Sequence, residues 1–144
     1  MCDPLTDEGI LMNTTIDKIA WIHLVHGRIL STRSHGKDVY YIPGGKREPG
    51  ETDLDTLIRE ITEELAITLN PTTATHLGTF RAPAHGHPAG TTVQMTCYTA
   101  DHHGTPTPSS EIDEIVWLTY ADRPHVSPVD QLIFDHLHQS GELP

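Results

Sequence analysis

The sequence predicts an α/β fold in which a mixed β-sheet lies between helices, and three observations predict it. Short runs rich in Ile, Val, Thr and Tyr lie on both sides of one strongly amphipathic helical segment. A second helical segment closes the chain. At 144 residues, with no internal repeat and no composition break, the chain reads as a single domain over residues 14–144, after a loose leader over residues 1–13.

The elements follow in order. Ile16 to Val25 is dense in Ile, Val and Trp and reads as a buried strand. His26-Gly27 supplies a turn, and Ile29 to Arg33 reads as that strand's hairpin partner. After a polar turn from Ser34 to Asp38, Tyr40-Tyr41-Ile42 is a short strand, stopped by Pro43-Gly44-Gly45. Thr52, with Asp55 three residues on, makes a capping box for a helix whose Leu54, Leu57, Ile58, Ile61 and Leu65 form one apolar stripe. Asn70-Pro71 ends that region. Thr75–Arg81 and Thr91–Ala100 are two longer strands joined by the Pro/Gly/His-rich segment Ala82–Gly90. A loop from Asp101 to Ser110 precedes a strand over Ile115–Thr119. Ser127-Pro128 opens the last helix, with Val129, Leu132, Ile133 and Leu137 on its apolar face.

Composition excludes several classes. A net charge of −11 disfavours nucleic acid polymers and anionic membranes but suits divalent cations that bridge to a phosphorylated ligand. Cys2 and Cys97 are too few for a disulfide framework or a zinc site. No secretory start and no membrane-length apolar run are present, so the expected location is the cytoplasm.

The chemistry concentrates in residues 45–67, GKREPGETDLDTLIREITEELAI. Glu60, Glu63 and Glu64 stand three and four apart and share one helix face, turned away from the apolar stripe. Arg59 is adjacent but is expected to point elsewhere, which leaves the carboxylates to repel one another. Such a face is either merely solvated or a set of hard oxygen ligands for Mg²⁺ or Mn²⁺. The preceding glycine turn, whose backbone groups can approach a metal and a phosphate, favours the second reading.

This segment resembles the Nudix box, in which a glycine, five residues, a glutamate and seven residues lead into Arg-Glu-apolar-x-Glu-Glu-x-Gly-apolar. Gly45, Glu51, Arg59, Glu60, Ile61, Glu63, Glu64 and Ile67 match it, and Ala66 replaces the usual glycine. The resemblance implies a Nudix α/β/α sandwich that cleaves a diphosphate linkage in a nucleotide-like small molecule, with Mg²⁺ or Mn²⁺ as cofactor. It implies Glu60, Glu63 and Glu64 as metal ligands and catalytic groups, helped by the carbonyl of Gly44. It also implies an ion pair between Glu51 and Arg59, and Lys46 on a substrate phosphate, these three forming the substrate-side set. A water attacks phosphorus, and a carboxylate removes its proton. That base comes from the box or from a later loop bearing Glu111, Asp113 and Glu114, and the family's habit of placing an acidic residue at the start of that segment selects Glu111.

Substrate choice is less legible. A short chain resembles MutT-type nucleoside triphosphate pyrophosphohydrolases, although the base-reading asparagine has no secure counterpart between Leu118 and Asp122. Pro83, sixteen residues past the box, is the offset of ADP-ribose pyrophosphatases, so an ADP-ribose or nucleotide-sugar pyrophosphatase is the alternative. A non-catalytic nucleotide sensor is another, disfavoured because every box glutamate is present; an isomerase needs a cysteine context that neither cysteine supplies. Tyr40, Tyr41 and Trp21 are candidates for a base pocket or for the core, and Tyr120 for stacking on a base or for packing. His85, His87, His102 and His103 are candidates for a transition-metal site or for solvated loops. A homodimer is compatible with this reading.

Overall fold

The computed structural model describes residues 14–144; the leader expected over 1–13, with Cys2, lies outside the described residues. Among the described residues nine strands and two α-helices follow one another. β1 (Thr14–Trp21), β2 (Leu24–Val25), β3 (Arg28–Ser34) and β4 (Gly44–Lys46) precede helix α1 (Asp53–Leu65). β5 (Thr68–Leu69), β6 (Thr75–Pro83), β7 (Thr91–Thr99), β8 (His102–His103) and β9 (Ile112–Leu118) then lead to α2 (Pro128–Gln139). Short 3₁₀ turns cover Pro71–Thr73 and Tyr120–His125.

The main sheet is mixed, in the order β4-β1-β7-β6, with β1 parallel to β7 and the other pairs antiparallel. A second sheet, β2-β3-β9, is antiparallel, and β5 pairs with β8. The run expected as one strand from Ile16 to Val25 is therefore interrupted at Ile22-His23. Its first part joins the main sheet and its last two residues pair with β3. β3 is thus the hairpin partner of β2 only; β1 pairs instead with β4 and β7.

Pro43-Gly44-Gly45 also behaves differently from the expected strand stop. Tyr40 and Tyr41 make only isolated bridges, whereas Gly44–Lys46 is a strand. It is tolerated because β4 lies at the sheet edge, where one row of donors is dispensable. Gly44 has φ +150°, and a methyl group there would strike the Ile19 carbonyl. Only glycine lets this edge approach β1 so closely.

Side-chain alternation divides the core between two faces. Ile19, Trp21 and Leu30 pack with Leu57, Ile61 and Leu65 of α1. Their neighbours Ala20, Ile22 and Ile29 pack with Ile133, Phe134 and Leu137 of α2. The strict period of two in β1 and β3 sets this division, and the result is a sheet layer between helices. On α2, Leu132 is 40% exposed and falls outside the apolar face, while Phe134 and Asp130 are fully buried. Cys97 is buried and free, and burial pushes its thiol pKa up.

Helix α1 is capped as its sequence predicts: Thr52 Oγ1 accepts from the Asp55 amide, and Asp55 Oδ2 accepts from the Thr52 amide, both at 3.1 Å. At the other end Ala66 adopts φ 56°, ψ 36°, the left-handed conformation that glycine takes without cost. Ala66→Gly should therefore stabilise the protein by about 0.5–1 kcal/mol, the relief of backbone strain exceeding the added flexibility of the unfolded chain. A higher urea midpoint at unchanged m-value is the expected result. A lower midpoint would show that the left-handed turn carries little strain.

Candidate active site

A cavity of about 350 Å³ opens between the main sheet, the N-terminal end of α2 and the loops after β3 and β6. Glu60, Glu64 and Glu111 line it together with Gly44, Gly45 and Lys46. The helix supplies the first two because residues four apart stand one turn above each other. The loop before β9 supplies the third. Its amides at Thr107 and Ser109 donate to the carbonyls of Leu65 (2.9 Å) and Glu64 (3.0 Å), which fastens that loop to the last turn of α1.

The three box glutamates are not equivalent. Glu64 is only 8% exposed, although the helical spacing alone turns it away from the core. β4 covers it, and the Gly44 amide donates to Glu64 Oε1 at 3.0 Å. The contact seen at Gly44 is through its N–H, where the family resemblance implies its carbonyl. Burial, with Glu60 and Glu111 nearby, pushes the Glu64 pKa up to about 8 against the opposing pull of the Gly44 amide and Lys18. Burial also raises the pKa of Glu60, opposed by Arg59. The Glu60 carboxylate occupies the space where a Gly45 side chain would stand. Glu63 has a side chain 53% exposed and does not line the cavity.

Arg59 corrects the sequence reading. It does not point away from the carboxylates: its Nη1 donates to Glu60 Oε2 at 2.8 Å and lies 3.7 Å from Glu63 Oε1. The long side chain curls back over the helix surface, which the angular position of its Cα does not reveal. Its other nitrogens grip Glu51 at 2.8 and 2.9 Å and the Lys46 carbonyl at 3.1 Å. Glu51, with this guanidinium beside it and the Glu48 amide donating at 2.9 Å, has its pKa lowered to about 2. Arg59 and Glu51 thus fasten the glycine turn to α1 and stand outside the cavity lining.

Among the later carboxylates, Asp113 and Glu114 are taken by Arg33, at 3.7 and 3.3 Å. Glu111 has no ion pair among the described residues and faces the cavity. Tyr41 and Pro83 also line it. Trp21 does not: it is fully buried behind the sheet, its indole N–H donating to the Ala100 carbonyl. Tyr120 stacks on His138 at 3.8 Å and donates to Asp135, away from the cavity.

The four loop histidines are not gathered around one point. His85 contacts Asp38 at 2.9 Å, His87 lines the cavity, His102 meets Trp21 and His23 edge-on, and His103 pairs with Thr68. Among the described residues no three His, Cys, Asp or Glu side chains close tightly around a common centre.

The sequence reading missed Lys18 and Lys37, which line the cavity, and Asp130, which is fully buried and accepts from the Ile42 amide at 2.8 Å. The signal was present for Lys18, a cation inside an otherwise apolar strand. Asp130 lies in the first turn of α2, where a carboxylate is commonplace. Its burial raises its pKa to about 7.

The donor set fits a hard divalent ion. Carboxylate oxygens share one cavity, and Glu64 and Glu60 are held above their ordinary pKa values by burial and by neighbouring carboxylates, Glu111 acting on both, a cost that a cation removes. Mg²⁺ needs only one or two carboxylates plus substrate phosphates, so an open ring of oxygens is enough.

The NUDIX domain family model matches residues 17–135. No curated protein matches the chain. Solved structures similar to it include the ORF135 protein of E. coli, 23% identical with a TM-score of 0.68, covering 88% of this chain and 93% of that one. A MutT NUDIX hydrolase from Burkholderia pseudomallei is 24% identical with a TM-score of 0.68, over 84% of this chain and 95% of that one. A UDP-X diphosphatase is 16% identical with a TM-score of 0.64, over 98% and 73%. At these identities the likeness is one of fold.

Proposed function

Since the chain belongs to the Nudix family of pyrophosphohydrolases, we propose that it cleaves a nucleoside triphosphate to the monophosphate and diphosphate with the help of Mg²⁺ or Mn²⁺. The observation that carries this reading is the meeting of Glu60, Glu64 and Glu111 with Lys46 in one cavity. Glu60 and Glu64 would hold the ion, with Glu63 outside the cavity on the same helix face. Bound there, the ion supplies charge neutralisation of the phosphate oxygens and acidification of a water molecule. Lys46 holds a substrate phosphate, and the glycine backbone leaves room beside it. Glu111, without an ion pair among the described residues, accepts the proton of the attacking water as oxygen bonds to phosphorus and the bridging P–O bond breaks. Arg59 and Glu51 keep Glu60 and the glycine turn in register. All these carboxylates are in place, which speaks against a non-catalytic sensor.

The second reading, an ADP-ribose or nucleotide-sugar pyrophosphatase, has one observation in its favour: Pro83 reaches the cavity. A metal-dependent screen over nucleoside triphosphates, ADP-ribose, nucleotide sugars and dinucleoside polyphosphates in ¹⁸O-labelled water separates the two. Label on a phosphate product from triphosphates is the expected result; faster turnover of ADP-ribose would install the second reading, and label on carbon would sink both. Glu111→Gln should lower turnover by roughly 10²–10⁴-fold while the melting-temperature rise caused by Mg²⁺ survives. Full activity of that variant with a crippled Glu114→Gln would move the base to Glu114. Two active variants would place it in the box.

Among the described residues no helix is long and apolar enough to cross a membrane.

A further inference from the structure

Ile16, Lys18 and Ala20 alternate along β1 and face the side of the sheet occupied by α2. Ile16 and Ala20 are apolar there. Lys18 places a cation in the same row, in contact with the cavity, where a methionine of similar length would pack without the cost of desolvation.

Nothing among the described residues neutralises it directly. No hydrogen bond or ion pair engages its ammonium among the described residues. Glu64 and Asp130 act on it only at longer range, and the Tyr41 ring lies 5.7 Å away. Lys18 stands directly opposite Lys46 in the antiparallel β1–β4 pair. Opposed residues in such a pair project to the same face with Cβ atoms about 5 Å apart, and both side chains line the cavity. Lys37 lines it too, and Lys46 and Lys37 both disfavour the charge on Lys18. An exposed ammonium at Lys46 beside a half-buried one at Lys18 is at its most favourable when an anion lies between them.

We propose that Lys18 is a substrate-binding residue, which together with Lys46 clamps one phosphoryl group of the substrate. The proposal rests on the diphosphate-hydrolase reading and adds a second, half-buried cation to it. It also explains why a lysine is kept in an apolar row: affinity is obtained at the expense of stability.

The test compares wild type with Lys18→Met by calorimetric titration of inorganic diphosphate in the presence of Mg²⁺, by steady-state kinetics on the best substrate of the screen, and by thermal melting. Diphosphate binding should weaken about tenfold or more, the value of one lost charge-assisted contact. KM should rise more than kcat falls, the melting temperature should hold or rise, and the shift produced by Mg²⁺ alone should be unchanged. Unchanged diphosphate binding overturns the proposal, whether KM stays constant, as for a structural cation, or rises, as for a residue that reads the nucleoside. A variant that melts lower and binds diphosphate normally would make Lys18 a counter-charge for Asp130, which also overturns it. Lys18→Gln repeats the measurement if the methionine variant does not fold; failure of both to fold overturns the proposal, because a lysine held for the substrate is dispensable to the fold. If the wild type hydrolyses nothing in the screen but the variant still loses diphosphate affinity, the clamp stands and the hydrolase reading fails. An active wild type with an unaffected variant gives the reverse.

Discussion

Glu64→Gln should lower turnover by roughly two or more orders of magnitude and leave the protein folded. Both parts follow from its position. The side chain is nearly buried beneath β4 yet faces the cavity, and its one hydrogen-bond partner among the described residues is the Gly44 amide, from which a glutamine oxygen can still accept. The loss falls on metal binding and transition-state charge, not on packing. A variant with near-normal turnover at saturating Mg²⁺ would end the assignment of Glu64 as a ligand. The chelated protein carries a second signature. A carboxyl whose pKa is raised from 4.5 to about 8 on folding holds its proton in the folded state where the unfolded chain has released it. Its stability contribution is complete below pH 4.5 and is lost as pH rises towards 8, a decline on the order of a few kcal/mol. Urea melts of the metal-free wild type at pH 5 and pH 8 should show that decline, and Glu64→Gln should flatten it. An equal decline in the variant would assign it to another group, Asp130 being the nearest in character.

Arg59→Ala should produce the largest loss of stability among the site variants, lowering the melting temperature by roughly 5–10 °C. One guanidinium holds Glu51 twice, Glu60 once and the Lys46 carbonyl once. Its removal takes the guanidinium from Glu60, whose side chain is 15% exposed, and leaves Glu51, 17% exposed, with only the Glu48 amide and the Thr56 hydroxyl. Activity should fall as well, because Glu60 and the glycine turn lose their common anchor. Arg59→Lys should recover little, since an ammonium cannot span this fork. Melting within 2 °C of wild type, measured by circular dichroism, would mean that the network contributes little, as exposed ion pairs often do.

The parts legible in the sequence were those whose physics is local. The Thr52–Asp55 box and the Leu57, Ile61 and Leu65 stripe are spacing rules of three and four residues, and they appear in α1 as read. Strand partners were not legible. Nothing near Ile16 announces that β1 will lie between residues 44–46 and 91–99, and the hairpin expected with Ile29–Arg33 forms only at its last two residues. The strand at Gly44–Lys46 was hidden because an edge suspends the usual rule against proline and glycine. Within the site, the acidic residues were visible one by one. That Glu60 and Glu64 enter the cavity while Glu63 stays outside depends on what covers the helix, as does the depth of Glu64. Lys18 was overlooked because strand propensity tolerates one lysine, and its meaning appears only once Lys46 stands opposite it.

The parallel pairing of β1 with β7 bears on how the molecule comes into being. Thr14 is matched to Thr91 and Trp21 to Tyr98, so the first described strand waits for one that lies beyond the middle of the chain. At about 5–20 residues per second on a ribosome, that interval lasts several seconds, during which β1 has only the short β4 to lie against. Ile19 and Trp21 stay wet or lean on the nascent α1 until β7 emerges. Closing so long a loop is the costly step of assembly. The apolar sheet centre is therefore most open to wrong partners before the chain leaves the ribosome, and the box helix, capped by its own residues, is the piece able to take shape ahead of the rest.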